Sequence, residues 1–130
     1  MSQLNNIFGI HEQALILRSR RNELIATNIA NADTPGYKAR DIDFRSMLRN
    51  QVDNLGDLVT TNKSHIGAPG SAIGKPEILY RNAIQPSVDG NTVSIDVEKS
   101  EFSKNAVGYQ TTFSFLNGKI KSLLTAIKGE

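Results

Sequence analysis

The sequence predicts a mainly α fold, with long N-terminal and C-terminal helices packing as a coiled-coil-like pair and a loop-rich middle containing a short helix and a minor β-hairpin. Three observations carry this expectation. Apolar residues recur in alternating steps of four and three from Phe102 through Ala106, Tyr109, Phe113, Leu116, Ile120 and Leu123 to Ile127. That spacing forms a seam narrower than the face a globular core claims, and it calls for a partner helix. The same spacing runs at the other end of the chain through Leu4, Phe8, His11, Leu15, Arg18, Asn22, Ile25, Ile29 and Ala32. Between the two, the stretch from about Gly56 to Pro86 is rich in Gly, Pro, Ser, Thr and Asn, which favour turns over core.

The first helix is expected from about Gln3 to Asp33, because Pro35 biases Thr34 away from helical geometry. Its stripe is impure. His11, Arg18 and Asn22 interrupt it, while Ile7, Ile10, Ala14, Leu17 and Leu24 lie to either side, so the helix offers a broad apolar surface able to meet several neighbours. Polar residues within a seam cost stability and can fix register, and partial exposure accounts for them equally well. Arg18, Arg20 and Arg21 read most simply as a solvated face.

Thr34-Pro35-Gly36-Tyr37 reads as a type II turn, with proline at its second position and glycine supplying the positive φ at its third. A short helix follows, with Asp41 or Asp43 as N-cap, Phe44, Met47, Leu48 and Val52 on one face and Gly56 near its end. Leu58-Val59-Thr60 and Ile78-Leu79-Tyr80 are brief strand-like pieces. Asp89-Gly90-Asn91, between Val88 and the alternating Val93, Ile95 and Val97, resembles a tight hairpin turn. Asp96 is expected to cap the last helix, with Glu98 and Glu101 near its positive end and Lys119, Lys121 and Lys128 toward its negative end. Gly108 and Gly118 each cost such a helix about 1 kcal/mol relative to alanine, so close packing by a neighbour or simple tolerance must explain them.

Composition narrows the function. The chain has 130 residues, 38% of them apolar, no tryptophan and a formal charge of +2, too mild to imply nucleic acid. It has no cysteine, which excludes disulfides, thiolate zinc sites and cysteine nucleophiles. His11-Glu12 begins like a zinc-protease motif, but Leu15 stands where the second histidine belongs, and His65 is far away in sequence. Gly74-Lys75 is followed by Pro76, and Pro69 replaces the first P-loop glycine. No catalytic, cofactor-binding or metal-binding residue is therefore expected. Met1-Ser2-Gln3-Leu4-Asn5-Asn6 has neither a basic start nor a long apolar run, so neither a cleaved secretion signal nor a membrane span is expected there.

Two helices of about 30 residues, roughly 45 Å each, cannot bury all their faces against one another. Isolated helices are marginal in water, and these two meet across almost the whole chain, so assembly with other subunits is expected to complete the fold. Asn28 and Asn31, one turn apart, are suited either to capping the chain near the turn or to bonding a neighbouring subunit. Tyr37 is expected to cover the turn or to dock on a neighbour.

Asn28-Ile29-Ala30-Asn31-Ala32-Asp33-Thr34-Pro35-Gly36-Tyr37, continued by Lys38-Ala39-Arg40-Asp41-Ile42-Asp43-Phe44, resembles the N-terminal signature of the axial proteins of the bacterial flagellum. With Asp89-Gly90-Asn91-Thr92-Val93 ahead of the terminal helix, the chain is similar to the basal-body rod proteins of that family. The asparagine- and proline-containing stretch of the neighbouring FlgC-type rod subunit is missing.

The resemblance implies a structural subunit of the proximal rod. Residues 1–33 and 97–130 would form one inner-tube domain, and 34–96 the turn, short helix and extended loop. It implies an assembly motif at Asn28, Asn31, Thr34, Pro35, Gly36 and Tyr37. The helix interface would use Leu4, Phe8, Leu15, Ile25, Ile29, Phe102, Tyr109, Phe113, Leu116, Ile120, Leu123 and Ile127. Implied partners are further copies of the chain, the adaptor FliE, the export-gate proteins FliP and FliR, and rod proteins such as FlgC and FlgF. The implied location is the periplasmic rod of the basal body, reached by type III export without a cleaved signal peptide. The alternatives are the neighbouring rod subunit of FlgC type and a secreted helical adaptor that does not polymerise, the latter distinguished by saturating at small fixed ratios.

Overall fold

The computed structural model describes residues 5–55 and 77–129. Its elements are α1 (Asn5–Ala30), β1 (Arg40–Ile42), α2 (Phe44–Leu55), β2 (Ile78–Tyr80) and α3 (Ile95–Lys128). Leu4, Gly56, Leu58-Val59-Thr60 and His65, all singled out in the sequence, lie outside the described residues.

Helix α1 is interrupted at Gly9, whose φ of 4° and ψ of −97° are not helical. Regular α-helix stops at Ala30, three residues before the expected Asp33. The final turn tightens instead: the Asn31 amide is shared between the Thr27 and Asn28 carbonyls, Ala32 N donates to Ile29 O and Thr34 N to Asn31 O. The type II turn then forms as expected, with Gly36 at φ 71° and Tyr37 N donating to Thr34 O at 3.3 Å.

Helix α2 starts where the sequence placed it, and one of the two candidate caps is correct. Asp43 Oδ1 accepts from Ser46 N at 3.0 Å, the bond expected of an N-cap. Asp41 does not cap. It lies in β1, which pairs antiparallel with β2 in the register Arg40↔Tyr80, Asp41↔Leu79, Ile42↔Ile78. The small antiparallel sheet of the middle region thus joins segments about 40 residues apart.

The hairpin expected around Asp89-Gly90-Asn91 does not form. Gly90, at φ 77°, does make a turn, with its amide bonded to Ser87 O, but Val88 is fully exposed and residues after the turn pair elsewhere. Thr92 N donates to Tyr37 O at 3.0 Å, Gly36 N to Asp89 O at 2.8 Å and Ala39 N to Thr92 Oγ1 at 2.8 Å. The signature turn outcompetes the upstream residues, where Pro86 has no amide to donate. Helix α3 begins at Ile95, with Ser94 at the N-cap position and without a side-chain cap bond. Asp96 sits in its first turn, where it still complements the helix dipole.

At 1.5 Å per residue, the 34 residues of α3 span about 51 Å. The helices run antiparallel, since Asn28 meets Glu98, Arg18 meets Asn105 and His11 meets Phe115. The buried apolar residues among those described are Ala14, Leu17, Ile25, Ala39 and Ile42, a small core. Three of them, Ala14, Leu17 and Ile25, belong to α1, which contacts α2, β1 and α3 and so uses the breadth of its apolar surface.

Candidate assembly interface

Helix α3 carries two parallel stripes. The face turned toward α1 is polar: Glu98, Asn105 and Thr112, spaced by seven, are 1%, 2% and 8% exposed. Glu101 and Gly108 fill the intermediate positions of this heptad row. The expected apolar seam lies one residue further on, at Phe102, Ala106, Tyr109 and Phe113, hence rotated by about 100° around the helix. That rotation leaves it facing outward, with Phe102 and Tyr109 40% and Phe113 48% exposed. Farther along, Leu116 and Leu123 are half-buried and Ile120 and Ile127 exposed, while Phe115 and Leu124 add more apolar surface.

On α1 the inward row contains Ala14, Arg18, Arg21, Ile25 and Asn28. Arg18 explains one of the two helix glycines. A Cβ on Gly108 would collide with the Arg18 guanidinium, which lies over the Phe44 ring with Cζ 4.3 Å from its centroid. The space around Gly118 is open.

A charged network ties the two helices to the sheet. Arg21 grips Asp41 with two bonds, Nε to Oδ1 at 2.8 Å and Nη2 to Oδ2 at 2.9 Å, and also donates to Glu101 at 2.8 Å. Arg81, just after β2, donates to Asp41 Oδ2 at 2.6 Å and to the buried Glu98. Burial by itself would raise the Asp41 carboxyl, but the hydrogen bonds from Arg21, Arg81 and the Ile42 amide overcome it and hold it at about 2. The bond to Asp41 raises the Arg21 guanidinium. Lys104 and Arg21 hold the Glu101 carboxyl below its usual range against the opposing effect of burial.

Asn28 completes this network. Fully buried, it donates to Arg40 O at 2.8 Å and Glu98 Oε2 at 3.2 Å, and accepts from Arg40 N at 3.0 Å and Tyr37 OH at 3.2 Å. Its partners all lie within the chain. Asn31 works locally, donating to Thr27 O and accepting from Thr34 Oγ1. Tyr37 is half-buried over the turn, whereas Thr34, Pro35 and Gly36 are exposed. Of the N-terminal interface candidates, Ile25 is buried inside the chain and Phe8, Leu15 and Ile29 are half-buried.

The end of α1 is held by Asn91, a residue the sequence had marked only as part of a turn. Its Nδ2 lies 3.0, 2.9 and 2.8 Å from the carbonyls of Asn31, Ala32 and Thr34, while its Oδ1 accepts from Val93 N. Arg81 was likewise missed, since nothing local marks a loop arginine as the counter-ion of a residue 40 or 17 positions away. The signature motif and the Asp89–Thr92 segment, two features of the sequence resemblance, are thus the two halves of one hydrogen-bonded joint.

Residues 8–38, spanning most of α1 and the turn, match the family described as "Flagella basal body rod protein". The chain is 50% identical over 130 residues, all of both chains, to the flagellar basal body rod protein FlgB of Cereibacter sphaeroides strain ATCC 17029. The chain belongs to the FlgB family of flagellar basal body rod proteins. The FlgB of Aeromonas hydrophila is 49% identical over 95% of this chain and 93% of its own. That of Escherichia coli K12 is 40% identical over 98% of this chain and 97% of its own. A basal-body rod protein is a structural component and not an enzyme. No described helix is long and apolar enough to cross a membrane.

Proposed function

We propose that this chain is a proximal-rod subunit that polymerises through the outward faces of its terminal helices. Residues 1–33 and 97–130 act as one inner-tube domain, and 34–96 supply the turn, short helix and extended loop with minor strands. The observation that carries this reading is the double stripe of α3. Intrachain pairing consumes the polar row and leaves Phe102, Tyr109, Phe113 and Ile120 for another molecule. Staggered copies that bury this row at native packing density form a tube wall that resists deformation, as torque transmission and an export channel require. Thr34, Pro35 and Gly36, exposed at the tip of the joint, are the part of the signature open to a neighbour. Asn28, Asn31 and Tyr37 support that tip from within. Further copies, FliE, FliP, FliR, FlgC and FlgF are the partners of this reading, and the periplasmic rod is its place.

The test is sedimentation and far-ultraviolet circular dichroism over a wide concentration range. Helicity should rise as assemblies form, and Ile120→Glu should abolish them while leaving the monomer spectrum intact. Assembly of the variant at the wild-type concentration would overturn the proposal.

A further inference from the structure

The outward stripe of α3 and the outer face of α1 are complementary in spacing, size and charge. On α1 the residues opposite the inward row are Glu12, Ile16, Ser19, Glu23, Ala26 and Ala30, all exposed and separated by alternating steps of four and three. The α3 stripe has the same spacing, but the sizes are reversed. Ser19, Ala26 and Ala30 are small, whereas Phe102, Tyr109, Phe113 and Ile120 are bulky. Two rows of matched period, one raised and one hollow, suit helices that interlock knobs into holes.

Charge follows the same division. At 100° per residue, Lys99, Lys121 and Lys128 fall about 40–80° beyond Phe113, on the flank of the stripe turned away from the chain's own α1. Each is exposed, and residues 102–129 contain no acid. The α1 row carries Glu12, which has no ion pair among the described residues, and Glu23, whose carboxylate is held by the exposed Arg20 at 3.2 Å. An ion pair so exposed is weak and leaves the carboxylate open to a second cation.

We propose that the outer face of α1 in a second copy of the chain covers the outward stripe of α3, with its Glu12 and Glu23 against the lysine flank. The inference rests on the polymerisation reading and names the surface that completes it. A copy displaced sideways, without being turned end for end, lays its α1 antiparallel to this α3, as the two helices already lie within the chain. Each copy presents both rows, so the contact joins two different surfaces and repeats from copy to copy. Two stripes packed antiparallel on one another would instead bring lysine flank against lysine flank, a repulsion that disfavours the symmetric pair.

Reversing the charge of one row at a time tests this. The α1 variant combines Glu12→Lys with Glu23→Lys, and the α3 variant combines Lys121→Glu with Lys128→Glu. These positions are exposed, so the dilute monomers should keep the wild-type circular dichroism spectrum. Each variant alone should need about tenfold more protein or above to assemble, because its own two rows repel. An equimolar mixture should assemble near the wild-type concentration, since the two altered rows attract each other and the two unaltered rows still do. Assembly of either variant alone at the wild-type concentration, or failure of the mixture, would overturn the proposal and leave the stripe reading standing. Assembly of Ile120→Glu would instead remove the reading beneath it. Should a charge variant lose helicity as a dilute monomer, Ala26→Phe decides. It fills the hollow row at an exposed site and should raise the assembly concentration by a similar factor, and unchanged assembly overturns the contact.

Discussion

The two halves of α3 are stabilised in opposite ways. Its first half, from Ile95 to Thr112, is held by buried polar side chains with named partners: Glu98 with Arg81 and Asn28, Glu101 with Arg21, Asn105 with the backbone of Arg18. Its second half exposes Phe113, Phe115, Ile120, Leu124 and Ile127. Polar pairing is directional, so it fixes how one helix lies on the other, whereas apolar surface can be buried by any complementary partner. The chain thus uses its directional contacts for its own shape and leaves apolar surface uncovered.

This contrast can be broken most sharply at Glu98. Glu98→Ala leaves Arg81 short of one partner and removes an acceptor of Asn28, and it should lower monomer stability by about 3 kcal/mol in a urea melt. Asn91→Ala, which takes one donor from each of three carbonyls at the end of α1 and leaves that of Ala32 unpaired among the described residues, should cost about 2 kcal/mol by the same measurement and loosen the joint rather than the helix pair.

Acid tests the network without mutation. The Asp41 carboxyl titrates at about 2 in the folded chain and at 3.8 in its ordinary state. The unfolded chain therefore binds the proton first as pH falls. The stability contributed by Asp41 is full above about pH 4 and is lost as pH drops through about 2. Thermal melts between pH 5 and 2 should show this loss, and Asp41→Asn should flatten it.

The glycines sharpen the comparison at smaller scale. Gly118→Ala, in open space, should stabilise the monomer by about 1 kcal/mol through helix propensity. Gly108→Ala should not, because its methyl group displaces the Arg18 guanidinium from Phe44. The smallest effect belongs to the bare half, where Leu124→Ser should change monomer stability by less than about 0.5 kcal/mol and weaken assembly instead.

Much of the architecture was legible in local pattern. The two long helices, the Thr34–Tyr37 turn, the Asp43 cap and the strand at Ile78–Tyr80 all follow from periodicity or from residues with restricted backbone preferences. The heptad row of α3 was also correctly seen, but periodicity reveals only that a face is apolar. It carries no label for the partner that covers it. Asp41 and Glu98 were assigned the short-range roles of cap and dipole charge because those are the roles sequence neighbours can justify.

What only the tertiary structure decided was which stripe turns inward. Glu98, Glu101 and Asn105 turn toward α1 because Asn28, Arg21 and Arg18 meet them there, with Arg81 closing on Glu98 from beyond β2, and those partners come from distant parts of the chain. A buried polar row is stable only when each group finds its complement, a condition that no single segment can display. The sequence by itself determined the helices, the turn and the apolar row left over. The fold determined that this row is outward, because the polar row beside it finds its partners on α1 and after β2.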